Sequence, residues 1–219
     1  FSALLDMATM LYETGQYKDA SEILNFCRIV MDESHPRFQC SLWGYLASSI
    51  LASAWGSAKT ALEMLRKYVT KDVVDDDFKA RGEQPTTVTT RNWGLHWSLF
   101  VFFKGGETLS SQFLDSVFDS AQRYHNRQLF NQRTVEARAP HLLRYVVAAC
   151  LMHRTKRSAL YNTLKLVRVC YEYSDALTEF VDQLIGHVNF QRVFELLPAV
   201  ATRVEGDYFL SGLKSQIMD

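Results

Sequence analysis

Apolar side chains recur along this chain with the 3.6-residue period of an amphipathic helix, almost from end to end. Leu4, Leu5, Ala8 and Leu11 form a first stripe that stops at Gly15. Tyr17, Ala20, Leu24, Cys27 and Val30/Met31 form a second, ending before Pro36. Phe38, Leu42, Tyr45, Leu46, Ser49 and Ile50 form a third, which ends near Trp55 and Gly56. Ala58, Leu62, Leu65 and Val69 form a fourth. An aromatic-rich helix is predicted over 87–103, closed by Gly105 and Gly106, and another over 107–124 carrying Leu109, Phe113, Leu114, Val117 and Phe118. Further helices are predicted over 138–152, 156–173, 176–187, 190–203 and 206–218. No segment reads as a strand, so the pattern predicts an all-α chain of stacked helix pairs.

A spacing of aromatic, small residue three on and leucine four further on opens three of the second helices. The instances are Tyr17/Ala20/Leu24, Trp55/Ala58/Leu62 and Phe190/Val193/Leu197. The small residue lets a paired helix come close, and its neighbours a turn away on the same face pack beside it. These nine positions are the expected repeat-packing residues. The organisation expected is first helix pairs at 1–71, an acidic loop at 72–86, aromatic-rich helices at 87–124, a basic loop at 125–135 and C-terminal helix pairs at 136–219.

Composition sharpens this outline. The chain has 219 residues, 47% of them hydrophobic, with 24 basic and 24 acidic side chains. A disordered chain would be poorer in apolar residues and more charged. Four prolines and ten glycines are few for an all-β chain of this size. No apolar run approaches the roughly 18–20 residues that span a bilayer, and no basic leader precedes an apolar stretch. The missing initiator Met suggests that residues precede Phe1. The four scattered cysteines, Cys27, Cys40, Cys150 and Cys170, read as reduced thiols rather than a disulfide framework.

Known catalytic patterns are missing. There is no phosphate-cradling glycine loop, no H-E-x-x-H and no G-x-S-x-G. Cys150 and His153 share a helix face with Cys170 as the only near partner, and a buried thiol beside a helix-end histidine is the favoured reading over a metal. Asp75, Asp76 and Asp77 read as a solvated loop, and Trp93, Trp97, Phe100, Phe102 and Phe103 as core. No catalytic residue, metal ligand or cofactor is therefore expected.

Charge is more informative. Residues 122–157 hold eight basic side chains and one acidic, net +7, between flanks of −4 and −3. Arginine binds phosphate and carboxylate through a rigid fork. Arg123, Arg127, Arg133, Arg138, Arg154, Lys156 and Arg157 are thus candidates for contact with RNA or an acidic partner, against the alternative that this block, Arg144 included, is solvated and paired with the acidic flanks.

Five segments carry a resemblance. They are Ser41-Leu42-Trp43-Gly44-Tyr45-Leu46-Ala47-Ser48, the stretch from Arg91 through Trp93, His96 and Trp97 to Phe103, Pro140-His141-Leu142-Leu143-Arg144-Tyr145, Thr178-Glu179-Phe180-Val181 and Asp207-Tyr208-Phe209-Leu210. In this order they resemble the e-type PCI family among the components of eukaryotic translation initiation factor 3. The resemblance implies a right-handed superhelical stack of helix pairs whose winged helix is not in this chain. It implies a non-enzymatic, ribosome-associated scaffold of a multisubunit complex, cytoplasmic, with the nucleus as an alternative. The implied partners are other subunits of that factor (its PCI/MPN core and neighbours such as c, d and l) and the small ribosomal subunit. Contact with ribosomal RNA is an open alternative, and no membrane is expected. A PCI subunit of the proteasome lid or signalosome is the runner-up, and a peptide-binding tetratricopeptide-like module a more distant reading. The loops at 72–86 and 122–136 depart from the family pattern. Phe209, Leu213 and Ile217 on the last predicted helix are the expected subunit interface.

Overall fold

The computed structural model describes residues 2–71, 85–118, 135–136 and 138–218. They form eleven α-helices and, among the described residues, no strand. The fold class expected from the apolar period is the one observed. Two compact units divide at Thr90 and Arg91.

In the first unit α1 (Ser2–Glu13), α2 (Tyr17–Val30), α3 (Phe38–Leu51) and α4 (Trp55–Lys71) each pack on the next. The α1–α2 turn needs Gly15, which sits at φ +83°, a conformation costly for other residues. The small residues of the repeat spacing do what close packing requires: Ala20 and Ala58 are fully buried. Gly44 lets α3 approach α2, since a Cβ there would lie 3.2 Å from a Leu24 methyl. All six residues of the predicted α3 stripe are buried. The buried hydroxyls are satisfied locally or with each other. Ser41 donates to the Phe38 carbonyl at 2.7 Å, Ser48 to Gly44 at 2.8 Å, and the Ser21 and Ser49 hydroxyls meet at 3.0 Å across α2 and α3.

The helix α5 (Pro85–Lys104) starts two residues before the predicted boundary. Proline at the first helical position lacks only a donor that would be unpaired there anyway, and its fixed φ suits the helix. Most of the 72–86 loop lies outside the described residues. In the second unit α5 continues from Arg91, followed by α6 (Glu107–Phe118), α7 (Leu143–Met152), α8 (Arg157–Val169), α9 (Ala176–Val181), α10 (Phe190–Glu205) and α11 (Lys214–Met218). The predicted 107–124 helix is described to Phe118, and its remainder and the predicted 125–135 loop lie almost wholly outside the described residues. α7 is central. Every residue from Val146 to Leu151 is buried, and α6, α8, α9 and α11 all pack on it.

Three predicted helices differ in detail. A 3-10 turn, Pro140–Leu142, leads into α7. The 176–187 helix ends in a π turn, Asp182–His187, which closes at Val188 with φ 52°. Gly186 leaves room there for the Arg168 guanidinium, whose Nη2 would lie 2.3 Å from an added Cβ. The last predicted helix, 206–218, shrinks to α11 behind a 3-10 turn, Ser211–Leu213, because residues 207–210 turn away to meet a polar group described below. The aromatic stretch is core only in part: Phe102 and Phe103 are buried and Trp97 and Phe100 half-buried, whereas Trp93 is exposed on the outer face of α5.

Candidate functional site

The second unit is built round one cation. Arg144, in the first turn of α7, is mostly buried. Its Nε donates to Asp175 Oδ2 at 2.5 Å, its Nη1 to Asp207 Oδ2 at 3.1 Å and its Nη2 to the Tyr173 hydroxyl at 3.1 Å. The Tyr145 hydroxyl also donates to Asp207, and the Tyr173 hydroxyl to Asp175, both at 3.1 Å. Arg203 on α10 approaches Asp175 at 3.4 Å from the solvent side. A buried guanidinium needs this many acceptors, because its loss of water is otherwise uncompensated.

The protonation states follow. Burial works against the Arg144 charge, yet the hydrogen bond and charge of Asp175 leave its pKa above the ordinary value. Burial works against ionised Asp175 too, but Arg144, Tyr173 and Arg203 outweigh it and hold the carboxyl below its usual range. Burial, then the charge of Asp207, push the Tyr145 phenol up to about 12. All three groups thus keep their ordinary neutral-pH forms, and the cluster is a pin rather than an acid–base machine.

Around it lies an aromatic layer. Phe103 stands edge-on to Phe113 at 5.4 Å and meets Tyr145 at 5.7 Å; Phe209 stands edge-on to Phe100 at 4.9 Å and to Tyr145 at 5.6 Å. Lys104 lies over the Tyr208 ring at 4.3 Å and donates to the Tyr208 carbonyl at 2.6 Å.

This geometry changes the expected interface. Phe209 is engaged within the unit and Ile217 is buried, while Leu213 is half-buried. The face drawn from a continuous 206–218 helix does not form, because Gly206 and Asp207 break that helix.

The basic block also divides. Arg144 serves the core, as above. Lys156 is bound to both oxygens of Asp115 at 2.7 and 2.8 Å and to the Ser111 carbonyl, and Arg154 donates to Leu151. Arg138 and Arg157 are exposed and carry no ion pair among the described residues. Arg123, Arg127 and Arg133 lie outside the described residues.

Of the repeat-packing positions, Tyr17, Trp55 and Leu62 are half-buried beside buried Ala20, Leu24 and Ala58. On α10 the register differs. The buried face is Val193, Leu196, Val200 and Val204, so Phe190 stands exposed a quarter-turn away and Leu197 is half-buried. Three-residue spacing alone does not say which side of a stripe faces the core. Phe194, one turn from Phe190, is exposed as well, as are Phe26, Ile29 and Val30 along one stripe of α2.

Cys150 is buried, and burial raises its pKa, while the Thr163 hydroxyl donates to the Ala159 carbonyl at 2.8 Å. His153 meets the Ser110 hydroxyl at 2.7 Å, and burial lowers its pKa. Among the described residues no group of three His, Cys, Asp or Glu side chains is placed to hold a metal ion, and no helix is long and apolar enough to cross a membrane. The periodicity did not reveal Asp175, Asp207 and Tyr173, which lie 29 to 63 residues from Arg144, nor the contact of His96 with His141 at 2.7 Å.

Comparison with known proteins adds the family context. No protein-family profile matches the chain. It is 30% identical over 208 residues to the E subunit of eukaryotic translation initiation factor 3 from Bombyx mori, covering 93% of this chain and 43% of that protein. It is 29% identical over 217 residues to the E subunit from Drosophila ananassae, and 30% identical over the same length to the E-1 subunit from Drosophila willistoni, covering 97% of this chain and 45% of each. The chain thus spans less than half the length of these relatives, yet nearly all of it takes part in the match. It is a diverged relative of the E subunit of translation initiation factor 3.

Proposed function

We propose that this chain, resembling the E subunit, is a non-enzymatic scaffold within translation initiation factor 3. It holds other subunits through its helical stack and so supports assembly of the initiation complex on the small ribosomal subunit. The observation that carries this reading is the match to the E subunits over 93–97% of the chain. The fold supports it. The buried charges are spent on structure, and large apolar side chains stand exposed in both units, at Phe26, Ile29 and Val30 and at Phe190 and Phe194, as protein-binding surfaces require. The chain works in the cytoplasm, where ribosomes initiate.

Affinity purification of the tagged chain, followed by sucrose-gradient sedimentation and identification of its companions, tests this. Other subunits of the factor and small ribosomal subunits should travel with it. Co-purification with a proteasome lid or signalosome instead would overturn the assignment.

A second reading rests on exposed Arg138 and Arg157, which leave part of the basic block open to phosphate. On it the block adds a direct RNA contact, whose affinity falls steeply with salt as counterions are released. Replacing Arg138 and Arg157 by Glu together should then weaken RNA binding and flatten its salt dependence; unchanged binding removes that contact.

A further inference from the structure

We infer that His96 and His141 form a proton-operated latch between α5 and the turn that leads into α7. The two Nε2 atoms lie 2.7 Å apart, across 45 residues of sequence, and the rings are tilted at 43° with centroids 4.9 Å apart. A second bond fixes where the protons are. His96 Nδ1 lies 2.7 Å from the Asn92 carbonyl oxygen, which has no proton to give. His96 Nδ1 therefore donates to it. The Nε2 of neutral His96 must then accept, and His141 Nε2 must be the donor. The neutral pair has one proton arrangement, set by the backbone of α5.

An added proton has two places to go, and each is unfavourable. On His96 Nε2 it turns the acceptor into a donor and sets two N–H groups against each other at 2.7 Å. On His141 Nδ1 it leaves the bond standing but creates a cation close to the Arg144 guanidinium. The groups that face it are unhelpful: the His96 imidazole on α5, which carries no negative charge, and Arg144 on α7, whose carboxylates Asp175 and Asp207 are already engaged. No carboxylate pairs with either imidazole among the described residues. Burial first, then His96 and Arg144, lower the His141 pKa. The neutral form is therefore the one the fold favours. The unfolded chain takes up the proton first, so this contribution to stability is complete above about pH 6.5 and is lost as pH falls below it. The same Arg144 charge disfavours a metal ion between the two rings.

Ring-nitrogen NMR on the whole chain at pH 7.5 should show His96 protonated at Nδ1 and His141 at Nε2. Backbone exchange, followed by mass spectrometry, should then accelerate in residues 92–104 and 140–147 on going to pH 5.5, by up to about tenfold beyond the intrinsic effect of pH, the limit set by the unfolded imidazole taking up its proton one pH unit below its ordinary value of about 6.5. In His141→Gln a neutral amide donates the same bond, and the acceleration should disappear. In His96→Gln the side-chain carbonyl accepts it, which gives a second route if the first variant does not fold. The opposite tautomers, or equal acceleration in wild type and in whichever variant folds, would overturn the latch.

Discussion

Among the described residues of the first unit the buried polar side chains are all hydroxyls, whereas the second unit adds a buried charge cluster to its buried hydroxyls Ser98, Ser110, Ser116, Thr163 and Thr178. Ser41 and Ser48 return their protons to their own helices, Ser21 and Ser49 bond each other, and the ion pairs Arg37–Asp6 and Lys59–Glu63 lie on the surface. The second unit instead closes over Arg144 and its two carboxylates. The first arrangement joins each helix to itself or to the next one along the chain, and its longest buried bond, Ser21 to Ser49, spans 28 residues. The second cannot exist until segments 31 and 63 residues apart have met. Damage to the first should therefore be graded, and damage to the second abrupt.

The largest effect is expected from Arg144→Ala. It leaves buried Asp207 without a cation and Asp175 with only Arg203 at its solvent side, which costs about 3–5 kcal/mol. Hydrogen exchange should show protection falling in residues 143–152 and 190–205; an equal fall confined to α2 and α3 would break the contrast. Acid sharpens the same point. The depressed Asp175 pKa means that its contribution is complete above about pH 3.9 and fades as pH drops through the lower folded value. In Arg144→Met with Asp175→Asn, acid unfolding should lose that component of its pH dependence.

Next comes overpacking. Ala20→Leu or Ala58→Leu, at positions with no free space, should cost about 1–3 kcal/mol in chemical denaturation. Smaller still, Ser21→Ala removes one partner of a neutral pair and should cost about 1 kcal/mol, with the further Ser49→Ala change adding less than that. If either hydroxyl variant cost as much as Arg144→Ala, the distinction between the units would collapse. Last, Val188→Gly should raise stability by about 0.5 kcal/mol. Relief of a β-branched residue at φ 52° exceeds the entropy that glycine adds to the unfolded chain.

The helices were legible because their signal is local. The stripe of Phe38, Leu42, Tyr45, Leu46, Ser49 and Ile50 faces inward just as its period says, and Gly15 and Gly105 punctuate where the chain turns. The ends of elements were less so: Pro85 begins a helix that its polar neighbourhood conceals, and Asp207 ends one because Arg144 and Tyr145 claim its carboxylate. Arg144 itself read as one of eight cations in a block, since nothing in a charge run distinguishes a core cation from a surface one. Phe190 shows the same limit for apolar residues. The polar pin and the histidine pair depend on distant segments arriving together, and no short-range pattern records that.

Asp175 shows what such a pin means for sequence change. It stands just ahead of α9, where its backbone N–H donates to Thr178 Oγ1 at 2.8 Å, and its side chain serves Arg144, Tyr173 and Arg203. Asparagine suits the helix start equally well but brings no charge. Glutamate brings the charge on a longer arm that places it elsewhere. Neither replacement satisfies every demand at once, so a change at this position should be tolerated less readily than one at the exposed positions around it.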